Sequence, residues 1–470
     1  MSQLFLEGPE RRRLDASVSQ RLEASLSQAA AGLVVPKFDV AKFRRELANI
    51  DFSNCKDIDG VVAWVLDGLQ AGMTHTTHAR YFGLFNPRPS TASEVADRIV
   101  AAFNPQLAVW SHAPAAVEIE SHTVANVAAR LGLPQASGGH FTVGGSEANY
   151  TALLCALTEQ NPHFGARGVR AYARPPSFYA SRDSHLAWLK IAHQAGVGRD
   201  AVRLVPTDGF GRMDIRALEE MIAADVKAGD QPVMIVATAG TTNAGMIDPL
   251  TDCARIARDR DLWFHVDAAW GGALAASASL RAKLSGIEAA DSVTLDAHKW
   301  LATTMGTGMF LLRRPEILSQ VFRVVAEYMP SNDVERDPYV NSIQWSRRFI
   351  GLRLFLSLAV AGWRGFGEHV ERGVALAARL KSQLVTAGWR VVNDSAVAVV
   401  CARPPDGAHS VTMIVRSLVA SGAVWVSQAT FEDERVVRAC ITNGLSGDRD
   451  IDLLANTLIE AARRPPRTAA

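Results

Sequence analysis

Apolar positions recur at helical spacing around residues 15–30, 39–49 and 57–71, with Pro36 separating the first two stretches. Glycine and proline thicken in YFGLFNPRPS, residues 81–90, and two further helices are predicted over 91–103 and 114–131. Gly132 and Pro134 close the second of these. From about residue 140 the rhythm changes. A glycine turn, FTVGGSEAN, leads into a helix over 147–160. Short apolar strands are predicted near 201–205, 233–238, 262–267, 292–296 and 308–313, with amphipathic helices such as 214–227 and 249–260 between them. Strands of this kind alternating with helices predict a mainly parallel sheet covered on both faces, an α/β fold. Residues 315–345 are weakly periodic and charged, as in a surface loop, with a lid over about 326–345. An apolar helix over 346–361 follows. Strands near 388–392, 396–401, 411–415, 424–426 and 436–441, with helices near 367–387 and 448–462, predict a smaller α+β domain. The chain therefore divides into an extension (1–90), a large domain (91–345) and a small domain (346–470).

Composition narrows the class. The chain has 470 residues, is 48% hydrophobic and 21% charged, and carries a formal net charge of +1. That describes a globular protein with ample core and no basic field for nucleic acid. No apolar window is long enough for a membrane span, and the N-terminus lacks a signal core. Five cysteines lie far apart with no CxxC pair, which predicts buried thiols in a reducing, cytoplasmic setting. Only 8 of the 49 basic residues are lysine, so a lysine at a strand end draws the eye.

Three segments fall at ends of predicted strands, where open α/β sheets bind ligands: HVDAAWGG (265–272), SVTLDAHKW (292–300) and TVGGSEAN (142–149). Lys299 is either a surface residue capping its strand or a partly desolvated amine able to form a Schiff base with an aldehyde cofactor. Asp267 closes the apolar run WFHVD, where a carboxylate either caps the next turn or faces a cation. The protonated pyridine nitrogen of pyridoxal phosphate is such a cation. Gly144, Gly145 and Ser146 open a helix whose N–H groups suit a phosphate, and ATAGTTN (237–243) adds hydroxyls at another strand end. His185 is placed to stack on a ring or to cap a helix, and His298 to handle a phosphate or a proton. HTTH (His75, His78) lacks the carboxylate of a zinc HExxH motif, so no metal site is expected.

Together HVDAAWGG, LSGIEAADSVTLDAHKW and ATAGTTNAGMIDP (237–249) resemble the group II pyridoxal-phosphate decarboxylases, the family that acts on aromatic amino acids, glutamate, cysteine sulfinate and diaminobutyrate. The resemblance runs over roughly residues 50–465. It implies the type I pyridoxal-phosphate fold of the aspartate aminotransferase superfamily, and an obligate homodimer whose N-terminal extension wraps the partner. It implies Lys299 as the Schiff-base lysine, Asp267 as the partner of the pyridine nitrogen and His185 as the stacking histidine. Gly145 and Ser146 match the phosphate turn, His298 the histidine before the lysine, Thr242 a threonine near the cofactor and Ala269 the small residue under the ring. HARYFGLFNP (78–87) resembles a substrate-side segment, so Tyr81, Phe82, Phe85 and Asn86, with Trp110, are candidate pocket residues.

Two departures stand out. The family usually has Asn where this chain has Asp296, and a carboxylate beside a phosphate is unfavourable unless turned away or protonated. The catalytic loop, AEYMPSNDVERDPYVNSIQWSRR (326–348), is shorter than its glutamate-type counterpart. Tyr339 is the candidate proton donor to Cα, and Tyr328 stands before the loop. The expected reaction is decarboxylation of an L-amino acid, aromatic or bulky, to amine and CO₂. The alternatives are an aldehyde-forming oxidative deaminase, an aminotransferase or a lyase. An acidic substrate would require an arginine such as Arg80, Arg347 or Arg348 in the pocket.

Overall fold

The computed structural model describes residues 5–85, 87–324 and 337–463. Three helices open the chain: α1 (Gly8–Ala31), α2 (Val40–Ala48) and α3 (Ile58–Gly72). Asp39 and Asp57 cap the second and third by accepting the N–H of Lys42 and Gly60, donors that a helix start leaves unpaired. Phe43 stacks on Trp64 at 4.9 Å and ties α2 to α3. None of the three helices holds a buried residue, although α3 reads IDGVVAWVLDGLQAG. Two further helices, α4 (Thr91–Phe103) and α5 (Pro114–Leu131), span the ranges that hydrophobic spacing predicts.

The large sheet has seven strands: β1 (Gly138–Thr142), β2 (Pro176–Ser181), β3 (Val202–Val205), β4 (Gln231–Thr238), β5 (Trp263–Asp267), β6 (Ser292–Asp296) and β7 (Gly308–Leu312). Their spatial order is β1-β7-β6-β5-β4-β2-β3. Strands β2 to β6 run parallel, and β7 is antiparallel to both β1 and β6. Helices α6 (Gly145–Gln160), α7 (Phe164–Arg167), α8 (Ala187–Gln194), α9 (Ile215–Ala228), α10 (Leu250–Asp259) and α11 (Ile317–Phe322) belong to this part of the chain. The two faces of the sheet feed two separate cores. Ile235, Ala237, Phe264, Val266, Val293 and Leu295 join one. Met234, Val236 and Trp263 join the other, with Ala148, Ala152 and Trp188 of the helices α6 and α8. Because strand side chains alternate, His265 and Asp267 share the Trp263 face, and Ser292, Thr294 and Asp296 line up beside them on β6.

The second half is built on α12 (Leu352–Thr386), in which non-helical backbone at Gly362 (φ 63°, ψ 173°) separates two helical stretches, as the sequence predicts. Strands β8 (Arg390–Val391), β9 (Val399–Arg403), β10 (Ser427–Phe431) and β11 (Glu434–Cys440) form an antiparallel sheet in the order β10-β11-β9-β8. Helix α14 (Asp448–Arg463) follows where expected. The strand expected at 411–415 is instead the start of α13 (Val411–Ser421). Its β-branched run misleads, but Ser410 caps Met413 N–H, and Val411, Ile414 and Leu418 share one buried stripe. The strand expected at 424–426 lies later, as β10, and turns into β11 through Glu432 and Asp433, both at positive φ. Strands β1 and β2 had no sequence expectation: GGHFT and PSFYAS carry glycines and a leading proline rather than an apolar run. All five cysteines are free and four are buried. Among the described residues no helix is long and apolar enough to cross a membrane.

Candidate active site

The carboxyl ends of β4, β5 and β6 open into a cavity of about 310 Å³. Strand β6 ends at Asp296, and a turn then carries His298 and Lys299. The Lys299 amine lies 3.0 Å from Asp296 Oδ2, and the side chain of Asp296 is only 3% exposed. His298 Nε2 stands 3.9 Å from the same oxygen. His298 Nδ1 accepts the Thr307 N–H at 3.2 Å, so the neutral ring carries its proton on Nε2, toward Asp296. Burial pushes the pKa of this imidazole down. Arg353 backs the turn. Its guanidinium donates to Met305 O, Gly306 O and Thr307 Oγ1 and pairs with Asp97.

Opposite, the turn Gly144–Gly145–Ser146 starts α6, and no side chain caps it. A Cβ on Gly145 would sit 3.0 Å from Asp296 Oδ2, closer than an ordinary contact, so glycine eases this approach. Glu147 Oε2 accepts the Val143 N–H, and Gln344 donates to both Glu147 oxygens. The C-terminal end of the expected lid segment thereby reaches the cavity rim.

Asp267 is held from behind by a directional chain of hydrogen bonds. The Trp263 indole can only donate, and it donates to Ser292 Oγ at 2.8 Å. Asn149 turns its amide nitrogen to the Asp267 carboxylate, so its Oδ1 can only accept from His265 Nε2–H (3.1 Å), and the neutral His265 ring then takes the Ser292 hydroxyl proton on Nδ1 (2.8 Å). Thr294 donates to the same Asn149 oxygen at 2.6 Å. That fixes the Asn149 amide, whose nitrogen donates to Asp267 Oδ2 at 2.8 Å. Ala269 N–H donates to Asp267 Oδ1 at 3.1 Å. The side chains of Trp263, Ser292, His265, Thr294, Asn149 and Asp267 are all buried, and burial lowers the His265 pKa to about 4. The carboxylate has two donors fixing its plane, and it lines the cavity.

The cavity lining brings together Gly144, Gly145, Ser146, His185, Thr242, Asp267, Ala269, Asp296, His298 and Lys299 of the expected residues. His185 Nδ1 accepts Ala187 N–H at 3.1 Å, which sets the ring at the start of α8. Phe85 lies against the same region: its ring stacks on Trp270 at 4.4 Å and is 5.8 Å from the Lys299 amine. Other expected residues lie elsewhere. Phe82 is core, and Tyr81 stacks on Trp425 at 5.0 Å with its hydroxyl taking Leu84 N–H. Trp110 sits in a satellite cluster and donates to Glu118. Tyr339 is buried with Val109 and Val340, 5.0 Å from the Trp345 ring, and does not line the cavity of its own chain. Asn86 and Tyr328 lie outside the described residues. The three arginines considered for an acidic substrate are engaged at other points: Arg80 with Asp450, Arg347 with Glu120 and Arg348 with Asp97.

Three residues escaped the sequence reading. Asn149 and His265 stand inside the quoted motifs but received no role. Arg438 is buried on β11 and lies 4.9 Å from the Phe85 ring; it donates to Thr242 O and Gly83 O and so clamps two loops at the site. A lone arginine inside the apolar run VVRACI was its signal.

The donors fit pyridoxal phosphate. An uncapped helix start faces the cavity with His298, a primary amine stands free of covalent partners, and a buried carboxylate is locked in place 2.8 Å from Asn149. Comparison with known proteins agrees. The pyridoxal-dependent decarboxylase conserved domain matches residues 43–404. The chain belongs to this family. Its reaction class is pyridoxal-phosphate-dependent decarboxylation of an amino acid. Family members similar to it include an aromatic-L-amino-acid decarboxylase of Bacillus atrophaeus, 30% identical over 79% of this chain and 78% of that protein. An L-2,4-diaminobutyrate decarboxylase of Rhizobium meliloti is 31% identical over 74% and 70% of the two chains. The crystal structure of mouse CSAD superposes with a TM-score of 0.89 at 25% identity, covering 96% of this chain and 99% of that one. The fold is the family's type I fold: a large α/β domain, a smaller C-terminal domain and N-terminal helices.

Proposed function

We propose that this decarboxylase converts an L-amino acid with an aromatic or bulky apolar side chain to the amine and CO₂, and that it works as a homodimer. The observation that carries the reading is the convergence of Lys299, Asp267, His185 and the α6 start on one cavity. When bound, pyridoxal phosphate supplies a ring that withdraws the electrons left at Cα as CO₂ departs. The protein's own groups do the rest. Lys299 offers the amine for covalent attachment, from the turn that follows β6. Asp267, held by Asn149 and Ala269, keeps a proton on the pyridine nitrogen. His185 walls one side of the cavity at the start of α8. The α6 N–H groups and His298 Nε2–H would hold the phosphate.

Val143, Trp270 and Met305 supply apolar lining, and Phe85 backs it. No arginine is among the described lining residues, which favours an uncharged side chain over an acidic one. The dimer reading rests on α1–α3, which hold no buried residue while exposing Leu22, Leu47, Ile58, Val65 and Leu69. Apolar positions at that density on solvent-facing helices match a surface that another subunit covers.

The test is a panel of L-amino acids assayed for CO₂, amine, aldehyde and peroxide. Amine and CO₂ in equal amounts from aromatic substrates is the expected result. Aldehyde with peroxide, or turnover confined to acidic substrates, would overturn the product or the substrate assignment. Lys299→Ala should lose turnover, together with the cofactor's covalent attachment after borohydride reduction.

A further inference from the structure

We propose that Gln344 is a positioning residue for the cofactor's phosphate: it holds the Glu147 carboxylate back on the Val143 side of the α6 start, so that the turn Gly144–Gly145–Ser146 is left to a second anion. The inference rests on the function proposed above and concerns how the same cavity admits a phosphate.

Glu147 is the acidic residue in the first turn of α6, and it lines the cavity. A helix start draws anions through its open N–H groups and the positive end of its dipole. It draws this side chain and a phosphate alike, and the two repel each other. In a capping box, a glutamate at this position turns back to the N–H of the cap residue. Here it reaches one residue further. Glu147 Oε2 accepts the Val143 N–H at 2.9 Å, and no side chain caps the helix at Gly144. The turn that follows Val143 therefore keeps its opening toward the cavity.

One backbone N–H leaves a carboxylate free to swing about it. The second anchor comes from the C-terminal end of the expected lid segment. Gln344 Nε2 lies 2.8 Å from Glu147 Oε1 and 3.0 Å from Oε2, so one amide nitrogen spans both oxygens. Both anchors are neutral: they orient the carboxylate while its charge persists. Gln344 can act as an anchor because its own stretch is fixed on either side. Before it, Asp337 accepts the Trp110 N–H, and the Tyr339 N–H donates to Ala108 O. After it, Ser346 accepts from the Gln106 amide, Arg347 O accepts the Leu107 N–H, and the Arg347 guanidinium is buried against Glu120 of α5. A side chain without donors at position 344 would release the carboxylate at the same positive helix end that the phosphate needs.

The test compares pyridoxal phosphate with pyridoxal, which has the same ring and aldehyde and no phosphate. Visible absorbance reads the dissociation constant of each. Gln344→Ala should weaken pyridoxal phosphate by about tenfold, the scale of one like-charge contact in a partly buried site, and leave pyridoxal within about twofold of wild type. Adding Glu147→Gln to Gln344→Ala should restore the preference for pyridoxal phosphate: a glutamine keeps an acceptor for the Val143 N–H and carries no charge. Gln344→Met, close in size and without a donor, takes the place of the alanine variant if that one does not fold. Equal weakening of both ligands, an unchanged constant for pyridoxal phosphate, or a double variant as weak as the single one overturns the inference. Failure of the underlying reading looks different: the wild-type protein would then carry no cofactor on Lys299 by mass spectrometry after borohydride reduction, whatever the variants do.

Discussion

Replacing Asn149 with alanine tests whether the hydrogen-bond chain behind Asp267 works as a unit. The wild-type amide donates to Asp267 at 2.8 Å and accepts from Thr294 and His265 at 2.6 and 3.1 Å. Loss of a hydrogen bond to a charged group costs about 1.5–3 kcal/mol, and each neutral bond about 1 kcal/mol. The alanine variant also strands the His265 N–H and Thr294 O–H in a buried space, so solvent cannot replace the amide freely. The expected loss is about 4 kcal/mol of unfolding free energy. Guanidinium unfolding of the apoprotein at pH 8 measures it. Thr294→Val is the control. It removes one neutral donor and leaves His265 on Asn149, so it should cost only about 1 kcal/mol. Asp267 also loses a donor in Asn149→Ala, so its carboxylate is held less firmly where the pyridine nitrogen would meet it. The cofactor dissociation constant should rise accordingly. An Asn149→Ala protein within about 1 kcal/mol of wild type, with unchanged cofactor affinity, would refute the reasoning and reduce the chain to ordinary packing.

Acid stability carries a second prediction. Burial lowers the pKa of His140 and of His265 to about 4. Each folded-state value lies below the unfolded value, so the unfolded chain binds the proton first. The stability is intact above about pH 6.5 and is lost as pH falls toward 4, by about 3 kcal/mol per histidine. Melting curves across that window should steepen, and His140→Phe should remove roughly half of the pair's contribution; equal slopes for variant and wild type would count against it. Gly83→Ala should lower the melting temperature by several degrees, because the added methyl collides with the Trp425 ring; an unchanged melt would mean the 81–85 segment yields freely. Tyr339→Phe should leave the amine-to-aldehyde ratio unchanged, since the ring lies in its own buried cluster with Val109 and Val340. A shift toward aldehyde would show that Tyr339 reaches the cavity of a second chain.

Much of the architecture was legible because the relevant elements are long or apolar. Helices α4 and α5 end at Asn104 and Gly132, both in left-handed conformation, and strands β4 to β7 are runs that no exposed segment would carry. Lys299 and Asp267 could be read from local sequence because each sits where an apolar strand ends. The pocket aromatics could not. Tyr81, Phe82 and Phe85 share one short segment, yet only Phe85 reaches the site, since Trp425 and the core claim the other two. That choice is made by β10 and the turn before it, hundreds of residues away. Tyr339 was placed by loop position alone, and its partners Val109 and Trp345 are tertiary neighbours. The chain behind Asp267 did leave a trace. WFHVD and SVTLD each place a polar residue at every second position of a fully buried strand. Alternation in an exposed strand marks solvent, but in a buried pair it requires the polar side chains to satisfy one another.

The charge balance of the cavity explains why such satisfaction matters here. Glu147, Asp267 and Asp296 line it, against one ammonium at Lys299. An anionic cofactor therefore meets a wall that is negative on balance, and no lining arginine compensates among the described residues. On the proposed reading, neutral donors would hold the phosphate: the open N–H groups of α6 and the Nε2–H of His298, whose tautomer Thr307 sets. Each carboxylate then needs its own solution. Glu147 has Gln344 and the Val143 N–H, and Asp267 has Asn149, Ala269 and the pyridine nitrogen it awaits. Asp296 has the Lys299 amine, 3.0 Å from Oδ2. Of the three, the carboxylate paired with the lysine is thus also the one with an enclosed oxygen that accepts no hydrogen bond, so its position depends on the Lys299 amine more than on any fixed donor.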